Sequence, residues 1–283
     1  MIDNGIDAGI PCEAAPMSRS LRALFVSLPL TLPLAFAVGA TQAQDFGYDE
    51  AERQQELLGV WYDIREGNAQ RGDTRAMFDV GMANYIGRGT DVDYDAALRW
   101  FARAADDDHA GAHYYLGFMF ASGRGTAVDE DKALEHYSRS AELGYADAQY
   151  WLGSHYARNE QSNGEALEWL GKAAEQGQVS AKYYYGFLHE TGRGTNPDPA
   201  KAARWYTKAA ERGDRNAQIG LGRLHQNGQG VERDLVEAYV WYSLADDSER
   251  MEAVKTRMSQ RDLNAAQTRL DEQSSEIQRA SAR

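Results

Sequence analysis

Cysteine is all but missing from this 283-residue chain: Cys12 is the only one. A single thiol cannot form an internal disulfide, so in an oxidising compartment the fold must be held by packing alone. Cationic charge is short as well. Lys and Arg number 30 against 43 Asp and Glu, a formal net charge of −13, and a chain so acidic repels nucleic acid backbones and anionic lipid surfaces. Long apolar runs are absent apart from Ala23 to Ala37, which Pro29 and Pro33 interrupt. That run is too short and too broken for a stable membrane span. Neither Gly-x-Ser-x-Gly nor a phosphate-loop pattern occurs, so acyl transfer and nucleotide chemistry lose their usual signatures. His189 and His225 stand at equivalent places one repeat apart, a separation of about 8 to 10 Å between packed helices, too wide for a shared zinc. The acidic runs Asp106-Asp107-Asp108 and Asp246-Asp247 read as solvated helix ends. No catalytic residue, cofactor or metal is expected.

What the chain does contain is repetition. Gly81, Gly117, Gly153, Gly186 and Gly222 are separated by 36, 36, 33 and 36 residues, and a period of this size means stacked units. Five residues before each glycine stands an alanine (Ala76, Ala112, Ala148, Ala181, Ala217). A second alanine follows at Ala97, Ala133, Ala166, Ala202 and Ala238. The shortened unit loses its three residues from an inner loop that elsewhere carries Gly-x-Gly, as in Gly87-Arg88-Gly89, Gly123-Arg124-Gly125, Gly192-Arg193-Gly194 and Gly228-Gln229-Gly230. Glycine there lets the chain leave a helix through positive φ and turn back. Each unit therefore predicts two antiparallel helices. Ala112, Leu116 and Phe120 share one stripe of a first helix, and Ala202, Trp205, Tyr206, Ala209 and Ala210 lie on a second. The in-helix glycine, unfavourable by about 1 kcal/mol, implies close helix approach.

The pattern Ala-x3-Leu-Gly-x5-Gly-x-Gly, then Ala-x2-Trp-Tyr and Ala-Ala-x2-Gly, resembles the Sel-1-like repeat, a relative of the tetratricopeptide repeat. The clearest copy runs from Ala181 to Gly213, and the resemblance covers residues 73 to 245. His136 departs from it where Trp100, Trp169, Trp205 and Trp241 stand in other copies, Asp108 replaces the glycine seen at Gly144, and Tyr185 replaces the leucine. The resemblance implies an all-α fold, a right-handed α/α solenoid of about five helix-loop-helix repeats. Residues 44–72 are expected to form N-terminal capping helices and 246–283 a C-terminal capping helix and tail. Leu263, Leu270 and Ile277 recur every seven residues, too few points to establish a coiled coil.

Residues 1–43 read as an N-terminal extension and a secretory signal peptide. A basic start (Arg19, Arg22), the apolar stretch and the small residues from Val38 to Ala43 fit cleavage at Ala40 or Ala43, the alternative being retention as an uncleaved anchor. Translation is expected to start at Met17. The mature protein is then expected to be periplasmic or secreted, with no stable membrane insertion after cleavage.

The strongest site candidate is aromatic. Tyr115, Trp151 and Tyr184 stand three residues after the first alanine of their units, and Phe118 and Phe187 stand six after it, so the two positions share a helix face. If first helices line a concave groove, as the resemblance implies, Tyr115, Phe118, Trp151, Tyr184 and Phe187 form its aromatic floor. Such surfaces bind partners through Tyr and Trp anchors. The loop arginines Arg88, Arg124 and Arg193 are expected as a secondary basic row able to grip carboxylates. By resemblance the function is that of a non-enzymatic protein or peptide scaffold or regulatory adaptor of the bacterial periplasm. The alternative is an envelope glycan or peptidoglycan binder, since sugar rings also stack on aromatic faces. Some exported relatives are linked to β-lactam chemistry, but the cysteine pairs they carry are absent here.

Overall fold

The computed structural model describes residues 50–281. The expected signal peptide, with Met17, Ala40 and Ala43, lies outside them. The described residues are helical throughout, joined by short turns. They run α1 (Glu50–Gln70), α2 (Thr74–Ile86), α3 (Tyr94–Asp106), α4 (Ala110–Ser122), α5 (Glu130–Glu142), α6 (Ala146–Tyr156), a 3-10 turn (Glu160–Ser162), α7 (Asn163–Glu175), α8 (Val179–Thr191), α9 (Pro199–Ala210), α10 (Arg215–Asn227), α11 (Leu235–Leu244), α12 (Ser248–Lys255) and α13 (Gln260–Ser281). The described residues fall into two compact units, 50–136 and 137–281. In the first, α1 packs on α2, α2 on α3 and α3 on α4; in the second, each helix from α6 to α11 packs on the next, and α13 lies along α11. Contacts in sequence order are what a helical repeat array produces.

Capping residues explain why the helices start where they do. Asp73, Gln178 and Asp214 accept from the backbone N–H of Ala76, Ala181 and Ala217 at 2.9, 2.6 and 2.8 Å. His109 Nδ1 does the same for Ala112 at 3.2 Å. In four of the five repeats the first alanine is thus the residue whose orphan amide is capped from three positions back; at Ala148 the N-cap Tyr145 makes no side-chain cap bond. Second helices begin alike at Asp93, Asp129 and Asp198. The second helix that carries Ala202, Trp205, Tyr206, Ala209 and Ala210 runs Pro199–Ala210, with Asp198 as its cap and Pro at the first helical position. Second helices end on a residue at positive φ, glycine at Gly144, Gly177 and Gly213; where the pattern departs at Asp108, the aspartate itself takes φ 57°, a conformation that short polar side chains tolerate.

Both glycines of each Gly-x-Gly loop have positive φ, and the second of the two does more than turn. A β-carbon on Gly194 would lie 2.3 Å from the Asn163 carbonyl oxygen, and one on Gly230 would lie 2.3 Å from the Pro199 carbonyl carbon. The loop is therefore pressed onto the first turn of the preceding second helix, at a distance only a bare backbone allows.

The in-helix glycines Gly81, Gly153, Gly186 and Gly222 likewise receive a bulky side chain. In the second unit the Tyr206 ring is wedged between two in-helix glycines: β-carbons on Gly186 and Gly220 would both lie 2.9 Å from it. Tyr206 is buried with Ala202, Ala209, Ala217, Leu221, Leu224 and Trp241. At the C-terminal end Val254, with Met251 and Met258 beside it, packs on Ala238 and Tyr242. Asp247 caps α12 by accepting from Arg250 N–H at 3.1 Å. In α13 the residues between the heptad points, Ala266 and Gln273, are the buried ones, and Arg269 pairs with Glu237 of α11 at 3.0 Å. The seven-residue recurrence thus belongs to a stripe turned toward the chain's own α11.

Candidate functional site

The aromatic candidates occupy both units. In the first, Tyr115 on α4 is 4% exposed and stacks on Phe101 of the preceding second helix, with centroids 5.3 Å apart and an interplanar angle of 17°. It is a packing ring, because the residue three after the first alanine points at the previous repeat. Phe118, one turn on, stays half-buried and meets Tyr85 edge-on at 6.2 Å. In the second unit, Trp151 on α6 is half-buried and repeats the geometry of Tyr115: it stacks on Tyr137 at 4.0 Å and on His155 at 5.3 Å. Tyr184 on α8 lies 5.0 Å from Tyr183 and 6.0 Å from Tyr150. Phe187 packs partly buried against the cluster around Tyr206.

The loop arginines do not form a free basic row. Arg88 lies over Trp61, 4.9 Å from the ring centroid. Arg124 donates to the Tyr85 hydroxyl and covers the Tyr85, Tyr94 and Phe118 rings. Arg193 donates to the Ala157 carbonyl at 3.2 Å. Gly-x-Gly docking carries each loop onto the preceding repeat, or onto α1 for the first loop, so the arginine held between the glycines lies there too. Their work is cation–π and carbonyl contact inside the array.

Three features escaped the sequence reading. Glu190, with a side chain 11% exposed, takes Arg223 in a bidentate pair at 2.5 and 2.6 Å and accepts the Tyr206 hydroxyl at 2.9 Å. The hydrogen bond to Glu190 raises the Arg223 pKa, and burial raises that of Tyr206. One repeat later Tyr242 donates to Gln226 at the same 16-residue spacing and the same 2.9 Å. That shared spacing was the available signal. Glu190→Leu strands a buried hydroxyl and a guanidinium, and we expect it to cost about 2 kcal/mol by urea unfolding, against about 1 kcal/mol for Tyr206→Phe.

The second feature is a group of tyrosines in the second unit. Burial pushes Tyr150 and Tyr183 up to about 12 and raises Tyr184 as well. Asp147 in the first turn of α6 and Asp214 at the start of α10, both half-buried, are held above the usual carboxylate range by burial. The third is a histidine pair. His113 and His136 approach Nδ1 to Nδ1 at 3.1 Å, and His136, the departure from the repeat's tryptophan, stacks on Phe120 at 5.6 Å. His109, four residues before His113, has its Nδ1 committed to capping α4. Among the described residues no group of three or more His, Cys, Asp or Glu is placed to hold a metal, and no helix is long and apolar enough to cross a membrane.

These repeats match the Sel1 repeat family model five times in succession, at residues 74–109, 110–145, 146–178, 179–214 and 215–245. The chain belongs to the Sel1 repeat family. Sel1 repeats are in general protein-binding, non-catalytic scaffolds. Among solved structures it is similar to a Sel1 repeat protein from Oxalobacter formigenes, with 25% identity and a TM-score of 0.57 over 71% of this chain and 85% of that one. It is also similar to c5321, a protective antigen of uropathogenic Escherichia coli with the same repeat fold, with 27% identity and a TM-score of 0.54 over 82% of this chain. The Sel1 chain described here spans 59% of the length of c5321. No curated protein sequence matches it significantly.

Proposed function

We propose that this Sel1 repeat protein is a non-enzymatic scaffold or regulatory adaptor of the bacterial periplasm, and that it binds a protein or peptide through the aromatic face of its first helices. The observation that carries this reading is the band of half-buried rings on α6 and α8 in the second unit: Tyr150, Trp151, Tyr183, Tyr184 and Phe187. Rings left partly open beside a well-packed core are the groups that carry interface energy, each worth about 2 kcal/mol or more on truncation when it is a hot spot. Phe118 offers a smaller patch of the same kind in the first unit. Tyr115 supports the face from beneath.

Whole-cell crosslinking in the native host tests this. The tagged wild-type protein is expected to capture a discrete envelope protein that a Tyr184→Ala variant loses while keeping its helical circular dichroism. Trp151→Ala is expected to weaken capture and to lower the melting temperature as well, because its ring also rests on Tyr137. Recovery of cell-wall fragments in place of a protein would transfer the site to the glycan reading. The periplasmic assignment is checked by the N-terminus of the exported protein, expected directly after Ala40 or Ala43.

A further inference from the structure

We infer that the partner segment held by the second unit is basic, and that a lysine or arginine side chain is received by Tyr150, Tyr183 and Tyr184 between the carboxylates of Asp147 and Asp214. This rests on the reading that the aromatic face binds a protein or peptide, and adds the chemistry of what it binds.

Position comes first. Tyr150 and Tyr184 belong to successive first helices with ring centroids 6.0 Å apart, and Tyr183 stands 5.0 Å from Tyr184. All three are half-buried, and Tyr183 rests on Tyr206 of the core with ring centroids 5.6 Å apart, which holds the group in place. Asp147 lies one turn before Tyr150 on the same helix, and Asp214 caps α10, accepting from Ala217 N–H at 2.8 Å. The negative charge of Asp214 acts on all three tyrosine hydroxyls.

Charge comes next. Among the described residues neither Asp147 nor Asp214 has an ion pair; Asp147 is met by the Gln178 side chain, and Asp214 by backbone N–H groups. By contrast, the other half-buried carboxylate of this unit's first helices, Glu190, is matched by Arg223. Two half-buried carboxylates without a counter-cation, Asp214 near all three tyrosines and Asp147 one turn from Tyr150, form a surface complementary to an ammonium or guanidinium. A cation over an aromatic ring gains most where water is partly excluded, and the carboxylates supply the steering charge.

The probes are two fluorescein-labelled peptides of alternating Gly-Ser and Lys-Arg pairs, or of Gly-Ser and Glu-Glu pairs, read by fluorescence anisotropy at physiological ionic strength. The Lys-Arg peptide is expected to bind and the glutamate peptide is not. Asp147→Asn with Asp214→Asn keeps a competent helix cap and is expected to weaken binding at least tenfold. The control pair Glu165→Gln with Glu175→Gln removes the same charge from exposed positions of α7 and should change it less than twofold. Equal weakening by both pairs would reduce the effect to the general attraction of an acidic protein and overturn the inference, as would no binding of the Lys-Arg peptide. The two readings separate in the crosslinking experiment. A protein partner lost by Tyr184→Ala but retained by the Asp147/Asp214 variant leaves the scaffold standing and removes basic recognition. A partner retained by both variants removes the aromatic face itself.

Discussion

Gly194→Ala is expected to destabilise the second unit by about 3 kcal/mol or more, whereas Gly213→Ala costs about 1 kcal/mol. Both glycines have positive φ, 77° and 82°, so both substitutions carry the left-handed penalty of about 1 to 2 kcal/mol for an L-residue. Only Gly194 adds a collision. Its β-carbon would lie 2.3 Å from the Asn163 carbonyl oxygen, while nothing lies within 4 Å of the corresponding position at Gly213. The obstacle is backbone in the first turn of α7, which cannot swing aside as a side chain can, so the loop must lift from the preceding repeat. Urea unfolding of the two variants, with hydrogen exchange in α7 and α8 as the local readout, checks this. Equal losses would mean that the second loop glycine serves the turn and not the docking.

Gly186→Val is expected to cost about 3 kcal/mol and to broaden the thermal transition. A β-carbon at Gly186 would already sit 2.9 Å from the Tyr206 ring and 3.3 Å from the Ala202 carbonyl oxygen, and valine adds two methyl groups beyond it. Tyr206 cannot retreat, because Gly220 of the next repeat holds its other side and Glu190 holds its hydroxyl. Strain introduced at one glycine therefore spreads to two repeat interfaces, and an array with weakened neighbour coupling melts less cooperatively. A second substitution, Tyr206→Leu, vacates the space and should recover part of the loss in Gly186→Val although it destabilises the wild type. Such a difference is the coupling expected of residues in contact. Strict additivity would contradict the wedge.

Most of the architecture was legible from glycine and alanine spacing. The period located five repeats because every unit must present the same small residues to its neighbours. Gly186 showed as a close-approach position before its partner Tyr206 was known. The positive-φ exits at Gly87, Gly123, Gly192 and Gly228 were legible for the same reason, since their backbone requirement excludes most other residues. Capping was less legible: Asp73, His109, Gln178 and Asp214 stand three positions before first alanines, but side chains this different share no pattern that marks them as caps.

The site was less legible. Tyr115, Trp151 and Tyr184 share a repeat position, yet one is buried and two are half-open. The difference lies in what the neighbouring repeat offers: Phe101 and further rings around Tyr115, Tyr137 under Trp151, and Tyr150 and Tyr183 beside Tyr184. The loop arginines looked like a basic edge because local sequence does not show the docking that turns them back onto Trp61, Tyr85 and the Ala157 carbonyl.

By itself the sequence determined that this chain is a helical repeat array of Sel1 type, and where its turns and close approaches fall, because those depend on backbone freedom and side-chain size within some forty residues. Only the tertiary structure decided which aromatic rings remain open, which arginines are spent on packing, and which carboxylates lack a cation. Those properties belong to pairs of residues about one repeat apart, and no local pattern contains them.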